Sequence, residues 1–208
     1  LAIGMSSVPQ LGIAGEDLDG VYDAIDFVKE TKEKVSDHLL GKRAVVIGAG
    51  NTAIDGATCS VRLGAENVKI LYRRTEAEMT AYDFEYEFAK QDGVEFRWLT
   101  APKRIIGDEK GKVTAIECIK MELGEPDEGG RRRPVPVEGS EFTLQVDAVI
   151  KAIGQSRYVQ LIEQFGLEHD GGVVKINEGT FQTSNEKVYA CGDVIFGKGQ
   201  GEAMVVSA

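Results

Sequence analysis

Histidine is scarce in this chain. His38 and His169 are the only two, far apart, so a His-based catalytic triad or a His metal site lacks its ingredients. Cysteine is nearly as sparse: Cys59, Cys118 and Cys191 form no CxxC or C-x4-C spacing. That excludes zinc and iron–sulfur ligand patterns and a paired redox dithiol, and leaves structural or incidental thiols. No apolar run approaches the ~20 residues of a membrane-spanning helix, and no charged, apolar and small-residue signal pattern opens the chain. The expected compartment is the cytoplasm, with no membrane partner. Positive charge is in deficit, with 24 Lys and Arg against 34 Asp and Glu and a formal net charge of −10. Such a balance disfavours nucleic acid as a partner. Any anion site has to be built locally.

What is present is a soluble composition, 42% hydrophobic and 28% charged, in 208 residues, enough for one domain or one domain plus pieces of another. The organising stretch runs from Lys42 to Asp55: a basic start, the apolar run Ala44-Val45-Val46-Ile47, then G-x-G-x-x-A and a helical pattern. Gly48 makes the turn out of the strand, Gly50 lacks a Cβ that would block a pyrophosphate, and Ala53 is small enough for helix–sheet packing. The first-turn amides after Gly50 then form an anion site. Alone, the motif is equally compatible with a plain Gly-rich turn. Its context favours the nucleotide reading, because Val68-Lys69-Ile70-Leu71-Tyr72 follows about 20 residues on, as the second strand of a βαβ unit. Where an NAD site carries an acid, this chain carries Arg73 and Arg74. Guanidinium groups grip a 2′-phosphate, so the residues point to NADPH, the alternative being a solvated basic pair at a strand end.

Leu1-Ala2-Ile3-Gly4 reads as the end of a buried strand whose partner is missing, and the chain as an excised piece. Val21 to about Lys34 repeats apolar positions at helical spacing, as a connector helix. The helix after Asn51 is expected to stop at Gly64, a second helix to run from Glu76 to Gln91 with Met79, Phe84, Phe88 and Ala89 inward, and Val94 to Leu99 to be a third strand. Arg104 to Ile106 and Val113 to Leu123 suggest a hairpin, followed by a loop with Arg131-Arg132-Arg133 and a returning strand at Phe142 to Val146. The three arginines are either a phosphate site or, beside Glu125, Asp127 and Glu128, a self-neutralising solvated loop. Asp147 to Gly154 returns to the parallel sheet, and Val173 to Ile176 and Val188 to Ala190 lead into Cys191-Gly192-Asp193. Asp193 stands where a polyol hydroxyl could be held, or is a plain turn or N-cap. Beyond it, Glu202 to Val206 reads as a helix start.

In this order the stretches IGAGNTAID (47–55), LYRRTEAEMTA (71–81), ELGEPDEGGRRRPVPVEGSEFTLQVD (122–147), KAIGQ (151–155) and ACGDV (190–194) resemble the pyridine-nucleotide domain of two-dinucleotide-domain flavoproteins. They are most similar to the glutamate synthase small (β) subunit group, which includes the flavin part of dihydropyrimidine dehydrogenase. The resemblance implies an α/β, Rossmann-like parallel sheet with an antiparallel β insertion at about 104–146, flanked by pieces of a truncated FAD-binding domain. Residues 1–40 would be a partial FAD-domain segment and connector helix, 41–155 the NADPH domain, and 156–208 its end plus a returning FAD-domain segment.

By the same resemblance, Gly48, Gly50, Asn51, Thr52 and Ala53 would hold the NADPH pyrophosphate and Arg73 and Arg74 its 2′-phosphate. Ala152, Ile153 and Gly154 would run beside the nicotinamide half. Gly192 and Asp193 would lie on FAD, Asp193 on its ribityl chain, with the helix from Glu202 aimed at the flavin ring. The implied activity is hydride transfer between NADPH and FAD, with electrons passing to an iron–sulfur domain or subunit and a catalytic large subunit or acceptor domain. The chemistry belongs to the cofactors, so no catalytic side chain is assigned. The family's FAD-binding G-x-G-x-x-G and its cysteine-rich iron–sulfur region are absent from this sequence, so FAD is expected to be held weakly or not at all. A thioredoxin-reductase-like flavoprotein without its redox cysteines, or a non-catalytic dinucleotide-sensing domain, are the rival readings.

Overall fold

Apolar runs without polar alternation call for burial on both faces, and two of them, with the strand at 67–71 beside them, become neighbouring parallel strands in the computed structural model, which describes residues 1–5, 8–33, 39–126 and 132–196. In chain order the elements are β1 (Val21–Asp23), α1 (Ala24–Glu33), β2 (Arg43–Ile47), α2 (Asn51–Arg62), β3 (Asn67–Leu71), α3 (Asp83–Gln91) and β4 (Glu95–Arg97). Then follow β5 (Thr100–Gly107), β6 (Val113–Pro126), β7 (Arg132–Pro136), β8 (Phe142–Gln145), β9 (Ala148–Lys151), α4 (Val159–Gln164), β10 (His169–Asp170) and β11 (Val173–Val174). The chain divides into two units, Val8–Gly154 and Leu1–Ser7 with Gln155–Ala208.

In the larger unit, five parallel strands lie in the order β1-β9-β2-β3-β4. Alternate residues of each strand serve different cores, as the period of two requires. Ala44, Val46, Val68, Ile70, Ala148 and Ile150 pack with Ala24 and Phe27 of α1, Ala53, Ile54 and Ala57 of α2, and Ala89 of α3. Val45, Ile47, Leu71 and Val149 pack instead with Ile105, Val113, Ile116 and Cys118 of an antiparallel sheet in which β6 pairs with β5, β7 and β8. The insertion therefore covers the sheet face that helices leave open. Cys118 is so deep in it that burial pushes its thiol up to about 12. In the smaller unit α4 and the β10–β11 hairpin enclose Ile162, Leu167, Val174, Ala190 and Val194. Among the described residues no helix is long and apolar enough to cross a membrane.

Several expectations change. The connector helix begins at Ala24, not Val21, because Val21–Asp23 forms an edge strand on β9, a partner 128 residues away at Val21↔Val149 that no local pattern announces. The helix expected over 76–91 is broken: Glu76–Glu78 is a 3-10 turn, and α3 starts at Asp83. Residues 79 and 82 are extended, because the amides of Thr80 and Ala81 donate to the Ala49 carbonyl and that of Tyr82 to Asn51 Oδ1. Ala89 is buried and Met79 packs on the core as expected, but with that shift Tyr86 turns inward, whereas Phe84 and Phe88 are exposed at 60% and 59%. Arg132 and Arg133 belong to strand β7 rather than a loop, while Arg131 and the expected helix from Glu202 lie outside the described residues. Strand β7 and helix α4 were not anticipated. Leu1 forms no strand, but its carbonyl accepts the Cys191 amide at 3.1 Å. The segment 188–190 contributes only a bridge between Gln182 and Tyr189.

Register at the start of the sheet is pinned by one polar contact. Arg43 donates Nε and Nη2 to the two carboxylate oxygens of Asp147, each at 2.9 Å, and its amide donates to Oδ2 at 2.9 Å. The Arg43 side-chain hydrogen bond outweighs the opposing pull of burial and holds the Asp147 carboxyl below its usual range. A carboxylate depressed in the folded state contributes stability above its unfolded value and loses it as pH falls through the folded one. Asp147→Asn is therefore expected to cost about 1 kcal/mol at neutral pH, a charged hydrogen bond discounted for a half-exposed pair. In thermal melts across pH, that difference should vanish in acid.

Candidate functional site

The site is built where β9, β2 and β3 end side by side, since parallel strands deliver their carboxyl ends to one edge. Gly48 leaves β2 with φ +125°, and a Cβ there would stand 2.2 Å from the Ala152 carbonyl oxygen. The Gly48 amide donates to Leu71 O at 3.0 Å, and the Ala152 amide to Ile47 O at 2.8 Å. Gly48 is thus demanded by the protein's own packing.

Gly50 differs. Its backbone is extended, φ −98° and ψ 177°, a conformation any residue adopts, and a Cβ would meet only Thr80 Oγ1 at 3.3 Å. Only that one rotatable hydroxyl borders the space a side chain here would take. As N-cap of α2 it offers no side-chain cap, and the first turn holds no acid. Among the described residues the amides of Gly50, Asn51 and Thr52 find no acceptor. The Ala53 amide is already bonded to Gly50 O at 2.9 Å and its side chain is fully buried, so Ala53 seats the helix rather than a ligand. Asn51 is partly committed too, its Oδ1 accepting the Tyr82 amide at 3.0 Å. Three free amides, a positive helix end and an empty Cβ position fit a pyrophosphate.

Arg73 and Arg74 follow β3. Arg73 is exposed, and Arg74 is half-buried with an Nε that has no hydrogen-bond partner among the described residues. A buried guanidinium nitrogen left without an acceptor is costly, and suits a site whose acceptor is a ligand anion. The nearby Glu78 makes no ion pair with either arginine among the described residues. Its carboxylate takes both the Thr75 hydroxyl, at 2.5 Å, and the Thr75 amide, at 3.0 Å. The Thr75 hydrogen bond, with a smaller contribution from Arg74, holds its carboxyl below the usual range.

Ala152, Ile153 and Gly154 continue from β9. Ala152 touches the glycine turn, Ile153 packs on the core beneath the sheet, and Gly154, at φ +102°, is exposed with open space around it. The structure so brings together Gly48, Gly50, Asn51, Thr52, Ala53, Arg73, Arg74 and Ala152–Gly154 at one sheet edge of one unit. Gly192 and Asp193 belong to the other unit, in a 3-10 turn whose Asp193 and Phe196 carbonyls accept Arg157 Nη1 and Nη2 at 2.9 and 2.7 Å. Gly192, at φ +74°, leaves open space that suits close approach by a cofactor.

Sequence reasoning missed Thr80 and Arg157, because each acts on backbone brought near only by folding, and Glu78, whose capping pattern with Thr75 could have found it. It also missed Lys151, buried at the end of β9 against Asp23 at 3.0 Å and Glu16 at 3.5 Å. Glu85 is a further omission: its Oε2 is buried without a partner, and burial, helped by Asp55, pushes its carboxyl up. Cys59 lies in α2, Cys118 in β6 and Cys191 in the smaller unit, so no two of them are neighbours in one element. Among the described residues no group of His, Cys, Asp and Glu could hold a metal.

The chain is 37% identical over 223 residues to the glutamate synthase (NADPH) small chain of Escherichia coli K12, covering 100% of this chain and 46% of that one. It is 37% identical over 199 residues to the NADP(+)-dependent formate dehydrogenase subunit beta of Moorella thermoacetica, covering 95% of this chain and 28% of that one. A third relative is the NADPH-Fe(3+) oxidoreductase subunit beta of Geobacter sulfurreducens, 44% identical over 158 residues, 74% of this chain and 23% of that one. The chain thus spans less than half the length of these curated relatives. Its fold is that of FprA from Mycobacterium tuberculosis, solved with NADPH, at TM-score 0.70, 23% identity and coverage of 93% and 57%. Thioredoxin reductase from T. acidophilum shares it at TM-score 0.73, 21% identity and coverage of 98% and 60%. Its sequence over residues 1–208 matches one family from end to end, and with the glycine turn at the sheet edge that match makes the chain a member of the pyridine nucleotide-disulphide oxidoreductase family.

Proposed function

We propose that this chain is the NADPH-binding part of a flavin-dependent oxidoreductase of the glutamate synthase small-subunit type, working in the cytoplasm. Bound NADPH and FAD would supply the chemistry, a hydride passed between nicotinamide and flavin. The observation that carries the reading is the conjunction at one sheet edge of an empty Cβ position at Gly50 and an unpaired buried nitrogen on Arg74. The amides of Gly50, Asn51 and Thr52 would bind the pyrophosphate, and Arg73 and Arg74 the 2′-phosphate. Ala152–Gly154 would line the path of the nicotinamide half, where Ile153 contributes apolar surface. In the other unit, Asp193 would accept a ribityl hydroxyl from FAD, its turn steadied by Arg157.

The relatives named as subunits support a role within a larger assembly, the partners being an iron–sulfur domain or subunit and an acceptor domain or catalytic large subunit. Domain roles follow the same reading, with one adjustment to the expected bounds: residues 41–155 would bind NADPH, the 8–40 segment packs in that same unit through β1 and α1, and 1–7 with 156–208 would contribute to the FAD side.

Titration of the Arg73→Ala, Arg74→Ala double variant tests the cofactor assignment. NADPH affinity should fall at least about tenfold, the worth of a charged hydrogen bond, with NADH binding nearly unchanged. NADPH bound as tightly as by the unmodified chain would refute it. The two glycines should separate by their causes. Gly48→Ala forces a Cβ onto the Ala152 carbonyl at positive φ, and is expected to destabilise the fold by several kcal/mol. Gly50→Ala should cost about 1 kcal/mol or less in thermal melts, yet weaken dinucleotide binding at least about tenfold because its methyl occupies the ligand's approach.

A further inference from the structure

The segment from Tyr72 to Tyr82 is tied at its start to β4 and the residues after it, and at its far end to the glycine turn and α2. At its start Tyr72 donates its amide to Arg97 O at 3.0 Å, and the Arg74 carbonyl accepts the Leu99 amide at 2.9 Å. At its far end the amides of Thr80 and Ala81 both donate to the Ala49 carbonyl at 3.2 Å, and Tyr82 donates to Asn51 Oδ1. A trans peptide directs its C=O and N–H in opposite senses. Fixing the Ala49 carbonyl towards the segment therefore turns the Gly50 N–H away from it, into the open space of the glycine turn.

Between these anchors one residue closes the turn. Glu78 Oε2 accepts the Thr75 hydroxyl and amide, and the Glu78 carbonyl accepts the Tyr72 hydroxyl at 2.8 Å. The residues on either side of Arg73 and Arg74 are thus both held by Glu78. From this geometry we infer that Glu78 is a positioning residue for 2′-phosphate selection: it sets where the Arg74 guanidinium stands and does so through hydrogen bonds, not charge. Its carboxylate lies near Arg74 and would, by charge alone, disfavour a phosphate; its value lies in the acceptor geometry it gives Thr75. The cradle at Gly50 is held separately by Thr80 and Ala81, so Glu78 acts on the extra phosphate of NADPH and leaves the shared pyrophosphate contact alone. This rests on the NADPH reading above.

The test uses the 208-residue chain and the fluorescence of Trp98, its single tryptophan, whose ring lies 6.1 Å edge-on from that of Tyr72. NADPH and NADH are titrated separately and each variant is melted. Glu78→Ala should weaken NADPH about tenfold and NADH less than about twofold, with little change in melting temperature. Glu78→Gln keeps an acceptor for Thr75 and drops the charge, so it should bind NADPH as tightly as the unmodified chain or more tightly. In an Arg74→Ala background, Glu78→Ala should add less than about a further twofold, since the two act through one contact. Equal losses for NADPH and NADH, a Gln variant as weak as the Ala variant, or an Ala variant indistinguishable from the unmodified chain would each overturn the role of Glu78. An unmodified chain that binds both nucleotides equally would instead overturn the NADPH assignment, and Glu78 selection with it.

Discussion

A carbonyl oxygen at Ala152 occupies the place that a side chain at position 48 would need, and much of the site follows from that closeness. Strands β2 and β9 are adjacent and in register from Ala44↔Ala148 to Ile47↔Lys151, so their ends arrive together. The chain can leave β2 only through a residue without a Cβ, and positive φ at Gly48 then swings the backbone off the sheet into α2. The helix starts at that turn with its unbonded amides at the sheet edge. A shift of one residue in the β2–β9 register would exchange the two faces of β2 and remove the coincidence. The bidentate contact of Arg43 with Asp147 at the opposite end of the strands opposes such a slip.

Local pattern carried the centre of this architecture and lost its edges. The cores of the runs at 43–47 and 148–151 are apolar without alternation, which identifies strands buried on both sides whatever their order, while 67–71 sets Lys69 between Val68 and Ile70 and is a strand by its β-branched content. Gly48 and Gly50 were legible as a motif, but not as two glycines with different causes, since that distinction lies in a neighbour more than a hundred residues away. Strand β1 is only three residues long and owes its existence to β9. The sequence from Glu76 has a genuine helical signal, and Thr75 to Glu78 even carries a capping pattern. What stops the helix is competition: the Ala49 carbonyl and Asn51 side chain offer acceptors to amides 80 to 82, and no local propensity records that offer.

The exposed rings of Tyr82, Phe84 and Phe88 show the same override from another side. At helical spacing they look like core, yet Tyr82 and Phe84 stack at 5.7 Å and Phe88 meets Phe84 edge-on at 6.5 Å on the outer face of α3. Because α3 starts at Asp83, its inward positions are Tyr86 and Ala89, and Tyr86 packs on Phe96 at 4.7 Å and Trp98 at 6.0 Å. The helix phase is thus set by where the preceding segment is anchored, and the same anchoring that organises the phosphate edge decides which aromatics are buried.

A chain with a net charge of −10 that is to bind a polyphosphate has to solve an electrostatic problem locally, because long-range attraction works against it. The described ion pairs show how. Asp147 is taken by Arg43, Glu95 by Lys69 and Arg97, Glu117 by Arg104, Glu141 by Lys103, and Glu16 and Asp23 by Lys151. Each pairing quiets a carboxylate on the unit that carries the site, and none of them consumes Arg73 or Arg74. Screening at physiological ionic strength confines the remaining negative field to about 8 Å, so the balance within that radius matters more than the total. There, two guanidinium groups and a helix end stand beside Glu78, whose carboxylate is engaged by Thr75 and makes no described ion pair with either arginine. A long-range field of this sign acts mainly on the rate of encounter, while short-range contacts with amides and guanidinium groups set how long an anion stays.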